Sequence, residues 1–199
     1  MPTQAKRPAV SLTRRGRLVT LRPPERADEH RFLTAVAASR KLHGGWVHPP
    51  ASPVAFAAYV KRYAREPLRD PASARHAGFV MYERDSEALA GTFNLSEIIH
   101  GALQSAFLGY YAFAGMEGRG LMREGLALVL DAAFSDFGLH RVEVNVRPAN
   151  LRSIALVEAA GFGREGFSPR YVKVAGRWRD HVRYAMLRDD WRRLRRTRA

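Results

Sequence analysis

The chain of 199 residues has no cysteine, which removes disulfides, thiolate metal sites and a cysteine nucleophile together. No run approaches the roughly 20 apolar residues of a membrane-spanning helix, so none is expected. The first ten residues, M-P-T-Q-A-K-R-P-A-V, show no apolar core of a secretory leader, and a cytoplasmic protein is the expectation. Seven histidines are scattered without ligand spacing, so no metal is expected. Repeats and low-complexity linkers are missing as well. Residues 1–199 therefore read as one domain, with a core at about 17–188 and a basic tail at 189–199. Lysine is scarce: Lys6, Lys41, Lys61 and Lys173 are four among 33 basic residues.

What is present is an ordinary hydrophobic fraction, 46%, under a net charge of +14. That field favours polyanions: RNA or a ribosomal surface, an acidic protein, or a phosphorylated cofactor. The densest cluster, W-R-R-L-R-R-T-R-A, reads as a solvated terminal charge run. Nothing in the composition distinguishes a monomer from a homodimer.

Period and punctuation outline the elements. Residues 17–22 alternate as a strand, and a helix follows over about Glu25–Ser39 with Phe32, Leu33 and Val36 on one face. A loop, H-G-G-W-V-H-P-P-A-S-P, precedes a second helix from Pro53 through Phe56, Tyr59, Val60 and Tyr63. Strands are expected at 76–84, 88–96 and 104–112, and a helix at 120–137 ended by Gly138. The strand R-V-E-V-N-V at 141–146 leads to a helix at 151–160, capped by Asn150 and stopped by Gly161. Two more strands are expected near 169–175 and 178–187. The order implies a mixed sheet with helices packed on it.

The stretch E-G-R-G-L-M at 117–122 places two glycines where a strand gives way to a helix. Bare backbone suits a tight turn. It also suits an anion, because free amides at a helix start, at the positive end of its dipole, cradle phosphate when no side chain blocks the approach.

Five ordered motifs bear on that choice: Gly109-Tyr110, then Gly118-Arg119-Gly120-Leu121-Met122-Arg123-Glu124, then Leu139-His140-Arg141-Val142-Glu143-Val144-Asn145, then Pro148-Ala149-Asn150-Leu151-Arg152-Ser153, and finally Gly176-Arg177-Trp178-Arg179-Asp180. Over residues 17–188 the chain resembles the GNAT acetyltransferase superfamily, and within it the ribosomal-protein-alanine N-acetyltransferase (RimJ/RimL-like) group. The resemblance implies an α+β (α/β mixed) GNAT fold, with a central, mostly antiparallel sheet of about seven strands splayed between the fourth and fifth. It implies a single acetyltransferase domain, acetyl-CoA as co-substrate, no metal, and direct attack of an amine on the thioester without a covalent enzyme intermediate. Four departures stand out. Glu117 occupies a position where the superfamily prefers glutamine or arginine. The acidic residue often found before Gly-Tyr is replaced by Ala106-Phe107-Leu108. A tyrosine used as general acid in some relatives falls at Val157. Gly125 also replaces a usual alanine, which weakens the helix by about 1 kcal/mol.

By the same resemblance the coenzyme contacts are Glu117, Gly118, Arg119, Gly120, Leu121, Met122 and Arg123 around the pyrophosphate, with Asn150 and Ser153 on the next helix. Backbone amides near Tyr110 and Tyr111 would face the thioester carbonyl. Arg141, Glu143 and Asn145 share one face of their strand. Glu143 is the candidate acceptor of the amine's proton, although the same position also suits an ion pair with an arginine. Ser153 resembles a hydroxyl that reprotonates the departing thiolate. The acceptor wall falls on the 39–50 loop, with His43, Trp46 and His48, and on Asn145.

An α-amine near pKa 8 costs about 1 kcal/mol to deprotonate at neutral pH, and a lysine about 4.6. An α-amine, or a small-molecule amine of lowered pKa, is thus the easier acceptor, and the resemblance implies the N-terminal α-amine of a peptide or ribosomal protein. Acetylation of a small amine (amino acid, polyamine, antibiotic) and a non-catalytic relative that binds CoA or RNA remain open. A chain of charge +14 repels a free, highly basic protein tail. Such a tail would be attractive only beside RNA.

Overall fold

The computed structural model describes residues 12–64 and 70–198. Residues 1–11, on which the reading of a missing leader rests, lie outside the described residues, as do 65–69 and 199.

The chain opens with β1 (Arg14–Arg15) and β2 (Val19–Arg22), then a 3-10 turn at Arg26–Asp28 and α1 (Glu29–Ala38). The turn is set by reciprocal hydrogen bonds of a capping box, and Asp28 also anchors it to the sheet by accepting from Arg22 and Tyr82. A single helical turn, α2 (Arg40–His43), and α3 (Pro53–Ala64) follow. Strands β3 (Ala77–Glu83), β4 (Leu89–Ile99) and β5 (Ser105–Ala112) form an antiparallel meander. Helix α4 (Leu121–Ser135), β6 (Arg141–Val146), α5 (Leu151–Ala160), β7 (Gly163–Val174), β8 (Arg177–Leu187) and α6 (Arg188–Arg198) complete the chain.

The eight strands form one sheet in the order β1-β2-β3-β4-β5-β6-β8-β7. Every neighbouring pair is antiparallel except β5 and β6. Both faces are covered. Phe79, Met81, Phe93 and Leu95 pack toward Leu126, Val129 and Leu130 of α4, while Val80 packs with Phe32 of α1 and Phe56 and Tyr59 of α3. That double burial explains why β3 reads as a continuous apolar run. Gly125 has a packing reason: a Cβ there would lie 2.5 Å from Met81 Sδ and 2.6 Å from Phe93 Cε2, so its absence lets α4 sit close on the sheet.

Two readings of the sequence change. The expected count of about seven strands becomes eight, because β1 is only two residues long and too short to show alternation. The basic tail keeps its solvated arginines but is ordered as a helix, α6, over Arg188–Arg198. Its Trp191 is 5% exposed and donates its indole N–H to Asp131 Oδ1 at 2.9 Å, where Arg195 also donates at 2.6 Å.

Candidate functional site

The site begins where two strands part. β5 pairs with β6 only through Ser105–Phe107 against Arg141–Glu143. Beyond that point β5 continues on β4 to Ala112, and β6 continues on β8 to Val146. Main-chain groups facing the gap have no ladder partner there. These are the fourth and fifth strands of the sequence reading, and the break falls between them.

The gap widens into a cavity. Leu108, Gly109 and Tyr110 of β5 form one wall, and Val144, Asn145 and Val146 of β6 the other. Asn150 and Ser153 line it from the start of α5. Trp46, Val47, Arg147 and His181 complete the lining. Alternation decides which side chains arrive: Tyr110 faces this cavity, while Tyr111 faces the opposite layer and packs edge-on against His43 at 5.1 Å and Phe113 at 5.6 Å.

Inside the cavity the polar groups are coupled. Tyr110 Oη lies 2.6 Å from Ser153 Oγ. Burial pushes the Tyr110 phenol up to about 12, with the bond to Ser153 working the other way, so it stays protonated at neutral pH. Asn150 Oδ1 accepts from the Ser153 amide at 3.2 Å, capping α5. Asn145 Oδ1 is sealed from solvent and has no hydrogen-bond partner among the described residues.

The glycine loop connects β5 to α4. Gly118 and Gly120 take the left-handed φ values +73° and +77°. A Cβ on Gly118 would meet nothing within 4 Å, and one on Gly120 only Leu18 Cδ1 at 3.7 Å. The approach to the first-turn amides of α4, Leu121, Met122 and Arg123, is therefore open. Leu121 and Met122 side chains pack inward with the core, and Arg123 is exposed with no ion pair among the described residues. Arg119 binds Glu83 at the end of β3. Glu117 folds back on its own loop and accepts from the Gly115 amide at 2.8 Å. Glu124, within the same motif, accepts the amides of Arg17, Leu18 and Val19 at 2.8, 2.6 and 2.8 Å, tying α4 to β2.

Other candidates from the sequence lie elsewhere. His43 is buried with Nε2 2.7 Å from the Ala112 carbonyl. His48 is exposed and off the cavity lining. Glu143 sits beside the closed part of the strand pair, accepting from Arg141 Nε at 2.9 Å, while Arg141 also binds Glu165. Sequence reasoning did not select Arg147 or His181. Arg147 stacks on Trp46 at 4.8 Å and donates to the Gly45 carbonyl. His181 follows directly on the Gly176–Asp180 motif, which was its only signal.

Residues 18–163 match the family model described as acetyltransferase (GNAT) domain. The probable N-acetyltransferase YjcK of Bacillus subtilis is 43% identical over 112 residues, 56% of this chain and 62% of its own length. The [ribosomal protein uS5]-alanine N-acetyltransferase of Escherichia coli is 33% identical over 113 residues, 57% of this chain and 58% of its own. The chain thus spans less than two thirds of the length of either curated relative. The solved structure of Mycobacterium smegmatis RimJ in complex with CoA-disulfide is 28% identical, with a TM-score of 0.77 over 90% of this chain and 88% of that one. The chain belongs to the GNAT acetyltransferase domain family.

Proposed function

From that membership we propose that the chain is an acetyl-CoA-dependent N-acetyltransferase whose acceptor is an α-amine, at the N-terminus of a peptide or protein. The observation that carries the reading is the parting of β5 and β6 beyond Phe107 into a cavity lined by Tyr110, Asn145, Asn150 and Ser153. The residues fit an acyl-coenzyme A. The open first-turn amides of α4, between Gly118, Gly120 and the unpaired Arg123, suit a pyrophosphate. The strand gap suits an extended chain that needs amide partners.

Bound there, acetyl-CoA supplies a thioester as activated acyl donor. The protein's share is positioning and charge. Main-chain amides of β5 beyond Phe107 would donate to the carbonyl oxygen as negative charge gathers on it. Ser153 Oγ, aligned by the Tyr110 phenol, would give its proton to the leaving sulfur.

The lining also bears on the acceptor. Among the described residues no Asp or Glu lines the cavity, and Arg147 is the one permanent charge there. A polycation such as a polyamine finds no counter-ion there. An amine whose near neighbours are neutral or anionic is favoured, and an α-amine near pKa 8 already sheds its proton at about 1 kcal/mol.

The experiment is calorimetric titration with acetyl-CoA and desulfo-CoA, followed by an acceptor panel of peptides with free α-amines, α-blocked lysyl peptides and polyamines. Micromolar coenzyme binding and turnover of α-amines alone is the expected result. Turnover of polyamines would replace the acceptor reading, coenzyme binding without turnover would leave a binding relative, and no binding at millimolar ligand would remove the transferase reading altogether.

A further inference from the structure

We infer that His181, on β8, is the proton acceptor for the attacking amine, through its Nε2. This rests on the transferase reading above. Three observations carry it.

The first is elimination within the cavity. Its titratable side chains are Tyr110, Arg147 and His181. A guanidinium does not give up its proton in a protein, and the phenol is already protonated. The imidazole is the one lining side chain able to take a proton near neutral pH. Glu143, the carboxylate that strand alternation favours for this task, is off the lining and engaged by Arg141.

The second is the tautomer. His181 Nδ1 lies 3.0 Å from the Arg179 carbonyl. A carbonyl only accepts, so the hydrogen sits on Nδ1 and the lone pair on Nε2. Nε2 has no protein partner among the described residues and is absent from the sealed, unpaired polar atoms. The ring is held on edge by Tyr171 of β7, at 6.0 Å.

The third is the protonation state. Burial pulls the imidazole below its ordinary range, and the Arg147 cation acts in the same direction. The Arg179 carbonyl and the Asp180 carboxylate oppose, without reversing the shift. From the neighbouring elements the facing groups are Arg147 after β6, Tyr110 of β5 and Tyr171 of β7. None is a carboxylate. A neutral imidazole at pH 7 is the form that accepts a proton.

The balance is simple. The neutral amine nitrogen forms the C–N bond and loses one proton to Nε2. The C–S bond breaks, and sulfur leaves with the bonding pair and takes a proton from Ser153 Oγ. The Ser153 alkoxide then regains a proton from bulk solvent, and His181 releases the proton it took to bulk solvent, so each returns to its starting state.

The test uses the full chain and His181→Gln. The expected result is a loss of about 10²- to 10⁴-fold in kcat/KM with desulfo-CoA affinity retained in calorimetry. The parent's rate should rise with pH through a limb below about 6.5, the ordinary imidazole value, and that limb should vanish in the variant. A second measurement needs no variant activity: NMR titration of ring-labelled histidines in the parent, with the His181 resonance identified by its absence in the variant. It should show a neutral ring with its hydrogen on Nδ1 at pH 7. A variant that turns over like the parent with the same acid limb overturns the assignment, and so does a protonated His181 ring at pH 7. A parent that binds no coenzyme overturns the transferase reading and this assignment with it, whereas coenzyme binding with an unaffected variant overturns the assignment alone.

Discussion

Ser105–Phe107 and Leu108–Tyr110 are consecutive halves of one strand, facing Arg141–Glu143 and Val144–Val146 of β6, yet only the first pair of segments is hydrogen-bonded. In the closed half the polar side chains satisfy one another: Arg141 binds Glu143 and Glu165 beside an intact ladder. In the open half the groups are left available. Main-chain amides lose their ladder, Asn145 Oδ1 has no partner among the described residues, the Tyr110 and Ser153 hydroxyls pair with each other, and His181 keeps a lone pair. Two segments of similar composition thus divide the work. The closed half fixes the angle of the two strands, and the open half presents unsatisfied chemistry to whatever enters. A carboxylate in the closed half is already spent on its neighbour, while a histidine in the open half is not.

The comparison can be broken most forcefully at the loop that leaves the open half. Gly120→Val places a β-branched residue at φ +77°, where L-residues are strained by roughly 1–2 kcal/mol. Its side chain would also cover the α4 amides. Coenzyme affinity in calorimetry is expected to fall by at least about 100-fold, or 2.7 kcal/mol, with a lower melting temperature. Retained affinity would mean that the glycines serve the turn alone.

Next in size is Ser153→Ala, which removes the hydroxyl but keeps the Asn150 cap. A fall of about 10- to 100-fold in kcat is expected, at the lower end of general-acid effects, with the coenzyme KM nearly unchanged. Tyr110→Phe should do less and leave the pH profile unaltered, because the phenol near 12 does not titrate in the working range. Equal effects of the two would make Tyr110, not Ser153, the donor.

The smallest effects belong to the closed half. Glu143→Gln should lose less rate than His181→Gln, and less than about 1 kcal/mol of stability, since this ion pair is partly solvated. Glu165 is held below the usual carboxylate range by its hydrogen bond from Arg141, against a small opposing effect of burial and with help from Arg183. A depressed carboxylate stabilises the fold above its unfolded value, about 4.3, and that contribution disappears as pH falls through the lower folded value. Because Glu165 is 37% exposed, screening keeps the effect under about 1 kcal/mol, readable as a slightly shallower acid unfolding curve in Glu165→Gln. A large rate loss in Glu143→Gln would erase the division between the two halves.

Local signals carried much of this far. The bounds of β6 and α5 were readable because alternation, an asparagine cap and a stop glycine are all short-range. The glycine pair before α4, and Asn150 and Ser153 one element later, stood out for the same reason. Helix α6 did not, because its charge density masks the single turn that puts Trp191 into the core and against Asp131. His43 and Trp46 looked equivalent on one loop, yet α2 turns His43 inward to the Ala112 carbonyl and leaves Trp46 on the cavity under Arg147. His181 was invisible as a lone histidine in a strand, with no spacing to distinguish it.

The sequence by itself determined most of the elements, their order, the mixed sheet and the glycine pair that leaves the start of α4 bare, because backbone preference, capping and side-chain period act over a few residues. Only the tertiary structure decided where β5 and β6 stop pairing, which face of each strand meets the cavity, that Arg141 occupies Glu143, and that His181 of β8 and Ser153 of α5 line one cavity. Those outcomes depend on contacts between residues far apart in the chain, and on which buried polar group is left without a partner.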